Sequence, residues 1–66
     1  MKNSLKVERA IKNITQEDLA KEIGVSRQAI NSIELGKYVP STILALKLSR
    51  YFGKSVNEIF KLEETD

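Results

Sequence analysis

The side chains best equipped for chemistry are concentrated in one stretch, GVSRQAINSIELGKY, from Gly24 to Tyr38. Arg27, Gln28, Asn31 and Ser32 are hydrogen-bonding groups, and the chemistry they support is recognition rather than bond making. Arginine forks onto the two major-groove acceptors of guanine, glutamine and asparagine can hold adenine at two points, and serine bonds either kind of base edge. Ile30 and Ile33 are interleaved with these polar residues. One helix can therefore present two very different faces.

Other chemistries find little support. The chain has no cysteine and no histidine, so it lacks disulfides, thiol nucleophiles, imidazole or thiolate metal ligands and an imidazole base for neutral pH. Adjacent acids such as Glu17 and Asp18, or Glu63 and Glu64, diverge on a helix and read as first-turn or solvated tail charges rather than a catalytic pair or a hard-metal site. No glycine loop is suited to cradling phosphate. The expectation is no catalytic residue, no metal, no cofactor and no small-molecule ligand.

Sixty-six residues suit one small domain, residues 1–66, which can bury only about 60% of its unfolded surface. With 41% hydrophobic and 30% charged residues the balance is that of a globular chain. No apolar run approaches the roughly 20 residues of a membrane span, and the N-terminus lacks a leader pattern, so a cytoplasmic location is expected. The net charge is only +2, but its placement is uneven. Between Ser26 and Asn57, Arg27, Lys37, Lys47, Arg50 and Lys54 face Glu34 alone, while acids gather in Glu17, Asp18 and Glu22 and in a tail over 61–66 that carries Glu63, Glu64 and Asp66.

The elements that must position the polar stretch are marked by local signals. Asn3 or Ser4 can cap a first helix over Leu5 to Lys12. Thr15, with Asp18 three residues on, opens a second over Gln16 to Ile23, and Gly24 turns the chain. Ser26 caps Arg27 to Glu34, which Gly36 terminates. Ser41 follows Pro40 and caps Thr42 to Phe52, which stops at Gly53. The pattern SVNE, Ser55 to Glu58, opens a last helix through Phe60, extending towards Leu62. Five helices and no convincing strand result, an all-α fold, although the alternation of Phe60 and Leu62 around Lys61 leaves open a short strand pairing with the N-terminus or a partner chain. Leu19, Ile23, Val25, Leu44, Leu48, Phe52, Val56, Ile59 and Phe60 are the expected core, with Arg50 and Lys54 as ordinary surface charges.

At about 100° per residue, with Arg27 at zero, Asn31, Gln28 and Ser32 fall at about 40°, 100° and 140°. Ala29, Ile33 and Ile30 fall at about 200°, 240° and 300°, and Glu34 at about 340°, on the seam. Solvated helix faces favour Glu and Lys pairs four residues apart. Arg, Gln, Asn and Ser instead suit base edges, and a helix is about as wide as the major groove admits. Ala20, Gly24, Ile30 and Ile33 have the spacing a helix-turn-helix over 16–34 requires: a small residue where helices cross, a glycine in the turn and two apolar anchors. Gln16, at a helix start beside free backbone amides, suits a phosphate.

With these residues in place, ITQEDLAKEIGVSRQAINSIELGKYVPS resembles the Cro and repressor type of helix-turn-helix domain, the xenobiotic-response-element-like family of phage and prokaryotic regulators. LALKLSRYFGKSVNEIF resembles the two closing helices of its compact five-helix, lambda-repressor-like fold. The resemblance implies base contacts by Arg27, Gln28 and Ser32, with Asn31 reaching a base or a phosphate. It implies a phosphate clamp at Gln16 and a backbone grip by Lys37, Tyr38 and Ser41, and Ser26 is expected among the phosphate contacts. It also implies a buried ion pair between Arg9 and Glu34. Leu35 departs from the asparagine or basic residue that many relatives carry there, so the resemblance does not carry that backbone contact over to this chain. Ile43 and Ile11 stand where relatives are often charged.

The expected function is sequence-specific binding of double-stranded DNA as a transcriptional regulator, a repressor acting as a homodimer on a palindromic operator. Ile43, Phe60 and Leu62 are the candidate dimer residues. The rival is an antitoxin-like protein-interaction module in which DNA binding is secondary.

Overall fold

The computed structural model describes all 66 residues, in the order β1 (Lys2–Asn3), α1 (Leu5–Lys12), α2 (Gln16–Ile23), α3 (Arg27–Glu34), α4 (Thr42–Phe52), α5 (Val56–Ile59) and β2 (Phe60–Lys61). Each helix starts where a side chain satisfies an otherwise unpaired backbone amide. In α2 the Thr15 hydroxyl accepts from the Asp18 amide at 3.0 Å while the Asp18 carboxylate accepts from the Thr15 amide at 3.1 Å. Ser55 and Glu58 repeat this reciprocal cap at α5, each bond 3.2 Å long. Ser26 and Ser41 each accept one amide, from Ala29 at 3.1 Å and Leu44 at 3.2 Å. At α1 the acceptor is Asn3, whose side-chain oxygen takes the Leu5 amide at 3.2 Å. The Ser4 hydroxyl is buried and has no partner.

Helices α1, α2 and α4 also end in a left-handed turn that the sequence allows. Gly24 has φ +87°, a conformation that costs a glycine little, and turns the chain two residues before the Ser26 cap. Asn13 serves the same purpose after α1 at φ +56°, consistent with the tolerance of asparagine for this region.

The all-α expectation needs one addition. The last helix stops at Ile59 rather than running through Phe60, because Phe60 is extended, with φ −114° and ψ +135°. Phe60 and Lys61 pair antiparallel with Asn3 and Lys2, and the Ser4 amide donates to the Ile59 carbonyl at 2.9 Å. Extension turns the Phe60 ring inward, where it is only 6% exposed.

The buried apolar side chains are Leu5, Leu19, Ala20, Ile23, Ile30, Ile33, Leu44, Leu48, Phe52, Ile59 and Phe60. Val25 and Val56, expected inside, are half-buried and pack against this core from its margin. The interior also takes in a charge: Glu8 is buried and accepts from the Lys54 ammonium at 2.8 Å. Lys54 is therefore half of an ion pair joining α1 to the turn after Gly53, not a free surface charge, and the hydrogen bond it donates to Glu8 raises its pKa. No helix is long and apolar enough to cross a membrane.

Candidate nucleic-acid interface

α3 owes its orientation to its apolar side. Ile30 and Ile33 are completely or almost completely buried, Ala29 is half-buried, and the small Ala20 of α2 is buried where α2 and α3 pack. Removing that much apolar surface from water stabilises the arrangement by about 1.5 to 3 kcal/mol per isoleucine. The opposite side has no alternative but to face out. Arg27 and Gln28 are exposed, Asn31 and Ser32 half-buried.

No acid neutralises this side. The carboxylate of Glu34, the one acid in α3, is turned inward and is 6% exposed. Arg9 meets it with two parallel bonds, Nε to Oε2 at 2.6 Å and Nη2 to Oε1 at 3.0 Å, and spends Nη1 on the Ile14 carbonyl at 3.1 Å. Such a fork is the strong geometry for a guanidinium and a carboxylate. Hydrogen bonding to Glu34 raises the Arg9 pKa further, against the opposing effect of burial.

Gln16 sits between this pair and the polar face. Its side-chain nitrogen donates to Glu34 Oε1 and to Asn31 Oδ1, both at 3.1 Å, and its oxygen accepts from Arg27 Nη1 at 3.5 Å. Both amide hydrogens are thus committed inside the molecule. A phosphate at the start of α2 would meet the backbone amides there rather than the Gln16 side-chain donors.

Of the remaining expected backbone contacts, Ser26 and Tyr38 border the same surface as Gln28 and Ser32. Lys37 and Tyr38 are exposed in the loop after α3, and neither forms an ion pair or a side-chain bond. Ser26 and Ser41 use their oxygens as helix caps, which leaves each hydroxyl hydrogen free to donate. Ser26, Gln28, Ala29, Ser32 and Tyr38 line a shallow cleft of about 300 Å³ on this surface.

The candidate dimer residues separate. Ile43 and Leu62 are 69% and 82% exposed, whereas Phe60 is 6% exposed and belongs to the core, reaching the surface only as part of the lining of a cleft. Val39 and Leu46, also exposed, line a cleft of about 360 Å³ together with Met1, Pro40, Ala45, Val56 and Phe60. Sequence reasoning also missed Asn3, whose amide nitrogen donates to the Ile33 carbonyl at 2.8 Å and ties the N-terminal strand to the end of α3. A helix-period reading has no signal for a contact thirty residues apart. No group of three or more acidic, histidine or cysteine side chains is placed to hold a metal ion.

Comparison with known proteins agrees with this geometry. A family model described as helix-turn-helix matches residues 5–59. A protein of Methanocaldococcus jannaschii named an uncharacterized HTH-type transcriptional regulator is 54% identical over 66 residues, all of both chains. The similarly named YgzD of Bacillus subtilis is 45% identical over 64 residues, 97% of each chain. The HTH-type transcriptional activator BcrR of Enterococcus faecalis is 40% identical over 53 residues, 80% of this chain but 26% of its own length.

Proposed function

The chain belongs to the helix-turn-helix family of DNA-binding transcriptional regulators, and from that premise we propose that it is a repressor that reads a palindromic operator as a homodimer. The family is one of regulators rather than enzymes. The observation that carries the reading is α3 itself: its apolar side is buried, and its outward side bears Arg27 and Gln28 with no acid beside them.

In this reading Arg27 and Gln28 enter the major groove and touch base edges, with Asn31 and Ser32 behind them. The backbone amides at Gln16 and the side chains of Ser26, Lys37, Tyr38 and Ser41 hold the flanking phosphates and set the register. Residues 1–66 act as one DNA-binding unit in the cytoplasm. One α3 spans few base pairs, so a second copy on a half-site about 34 Å away supplies the remaining specificity, and a two-fold dimer implies a palindrome. Val39, Ile43 and Leu46 offer an apolar surface for that copy. Repression needs only occupancy of a promoter.

The test is fluorescence-anisotropy titration with DNA from the gene's own upstream region and with a scrambled duplex, at two salt concentrations. Salt-dependent binding stronger on the upstream DNA by about 4 kcal/mol or more is expected. Equal, weak binding to both duplexes would remove autoregulation, and selection from a random library that enriches no motif would remove sequence reading altogether.

A further inference from the structure

Resting on the base-reading role of α3, we infer that the buried Arg9–Glu34 pair dictates, through Gln16, which half of the Asn31 amide faces the DNA, making Asn31 a donor-only reader that selects guanine over adenine. An amide has a donor end and an acceptor end, and which end points outward decides which base it can hold. Here each orientation in the chain is forced by the one before it.

Glu34 is a carboxylate held in place by the Arg9 fork. Gln16 lies 3.1 Å from Glu34 Oε1, and only its NH₂ end can face a carboxylate without setting oxygen against oxygen. The Gln16 oxygen points the other way, 3.5 Å from the guanidinium of Arg27, in keeping with that orientation, which the Glu34 contact alone sets. The second hydrogen of the Gln16 NH₂ group points at Asn31, 3.1 Å away, so Asn31 must turn its oxygen inward to accept it. A reversed Asn31 would set two NH₂ groups against each other. Its own nitrogen has no hydrogen-bond partner in the protein and is not among the buried unpaired atoms, so the donor end is open to solvent.

A two-point grip on adenine needs the amide oxygen and nitrogen side by side on the edge that meets N6 and N7. With the oxygen turned toward α2, Asn31 offers hydrogens alone. Guanine presents two acceptors, N7 and O6, whereas adenine places its N6 donor where the second acceptor would be. Gln28 carries no such restraint, as no bond within the protein involves its side chain, and it keeps both ends available. Gln16 is accordingly a positioning residue for base choice.

The experiment selects bound duplexes from a random library with the full-length protein, with Asn31→Ala and with Gln16→Leu, and measures affinities for base substitutions in the enriched site. The wild type is expected to prefer guanine over adenine by about tenfold at one position, a preference that Asn31→Ala abolishes there alone. Gln16→Leu, with Asn31 intact but free to turn, should bring guanine and adenine at that position within about threefold while the position read by Arg27 keeps its preference. An adenine preference in the wild type, no position sensitive to Asn31, or a Gln16→Leu protein that merely binds every sequence more weakly would each overturn the inference and leave sequence reading intact. Failure of the wild type to enrich any motif would instead remove the underlying reading. Side-chain amide exchange in the free protein gives a second readout that needs no DNA. The Gln16 NH₂ hydrogens should exchange more slowly than those of Asn31, and the reverse order overturns the relay.

Discussion

Arg27 and Glu34 stand at opposite ends of α3, and the structure gives them opposite tasks. Arg27 is exposed and shares only a long bond with Gln16, so its guanidinium is free to fork onto a base. Arg27→Ala should cost about 1 to 3 kcal/mol of operator affinity and relax discrimination at one base pair, leaving the protein's melting unchanged. Equal losses on operator and scrambled DNA would show instead a phosphate contact. Glu34 faces inward, and its removal strands Arg9 in a site where the guanidinium side chain is 15% exposed. Glu34→Ala should therefore destabilise the fold by about 3 kcal/mol, the low end for breaking a buried pair, in urea titration. A loss under about 1 kcal/mol would class the pair with exposed ones. The buried Ser4 hydroxyl makes the contrasting case. It bonds to nothing, so Ser4→Ala should leave stability unchanged or raise it, whereas loss of a working cap would cost about 1 kcal/mol.

The helices are the most legible level of this molecule because their caps are local. Thr15 with Asp18, and Ser55 with Glu58, fix two helix starts within four residues each, and no distant contact is needed to read them. These caps also titrate. Asp18 and Glu58 are each held below their ordinary values of 3.8 and 4.5, chiefly by accepting the backbone amides of Thr15 and Ser55. The unfolded chain therefore binds more protons than the folded one in this range, and stability rises with pH. The contribution is complete above the ordinary values and is lost as pH falls through the lowered ones. Urea midpoints should decline from about pH 5 to pH 3, and the decline should be shallower in the Asp18→Asn, Glu58→Gln double variant. Parallel pH profiles would remove the two caps as its cause. Phe60 shows where local signals stop. The SVNE pattern opens a helix, but its end is set by pairing with Asn3, 57 residues earlier; the alternation around Lys61 allows a strand there without saying whether the N-terminus or a partner chain completes it.

At the scale of the whole molecule, what the sequence conceals is which side chains meet. The polar and apolar faces of α3 follow from its periodicity, yet Gln16, Asn31 and Glu34 become one network only when α2 is laid across α3, and Glu8 finds Lys54 from the other end of the chain. The same holds for the surface a second copy would use. Composition does not distinguish Phe60 from Leu46, but folding buries the first and leaves the second 57% exposed, with Val39 and Ile43 exposed as well. The molecule measures 32 × 22 × 21 Å, so two copies that adjoin along the long axis lie about 32 Å apart, centre to centre. That separation is compatible with the roughly 34 Å between successive turns of one DNA groove. A standard interface takes about 800 Å² from each partner, which is roughly a sixth of this chain's 4586 Å². Val39, Ile43 and Leu46 are too few to supply it alone, and the adjoining cleft beside Pro40 and Ala45 extends the apolar area. A carboxylate introduced at its centre would have to be desolvated without a partner. Ile43→Glu and Leu46→Glu should therefore shift sedimentation equilibrium toward the monomer and weaken operator binding by tenfold or more, because each half-site must then be filled independently. The thermal midpoint should hold, since both side chains are exposed in the single chain. A dimer that survives both substitutions would move the contact to another face, and a wild type that remains monomeric on its operator would mean that one copy of α3 reads the site alone.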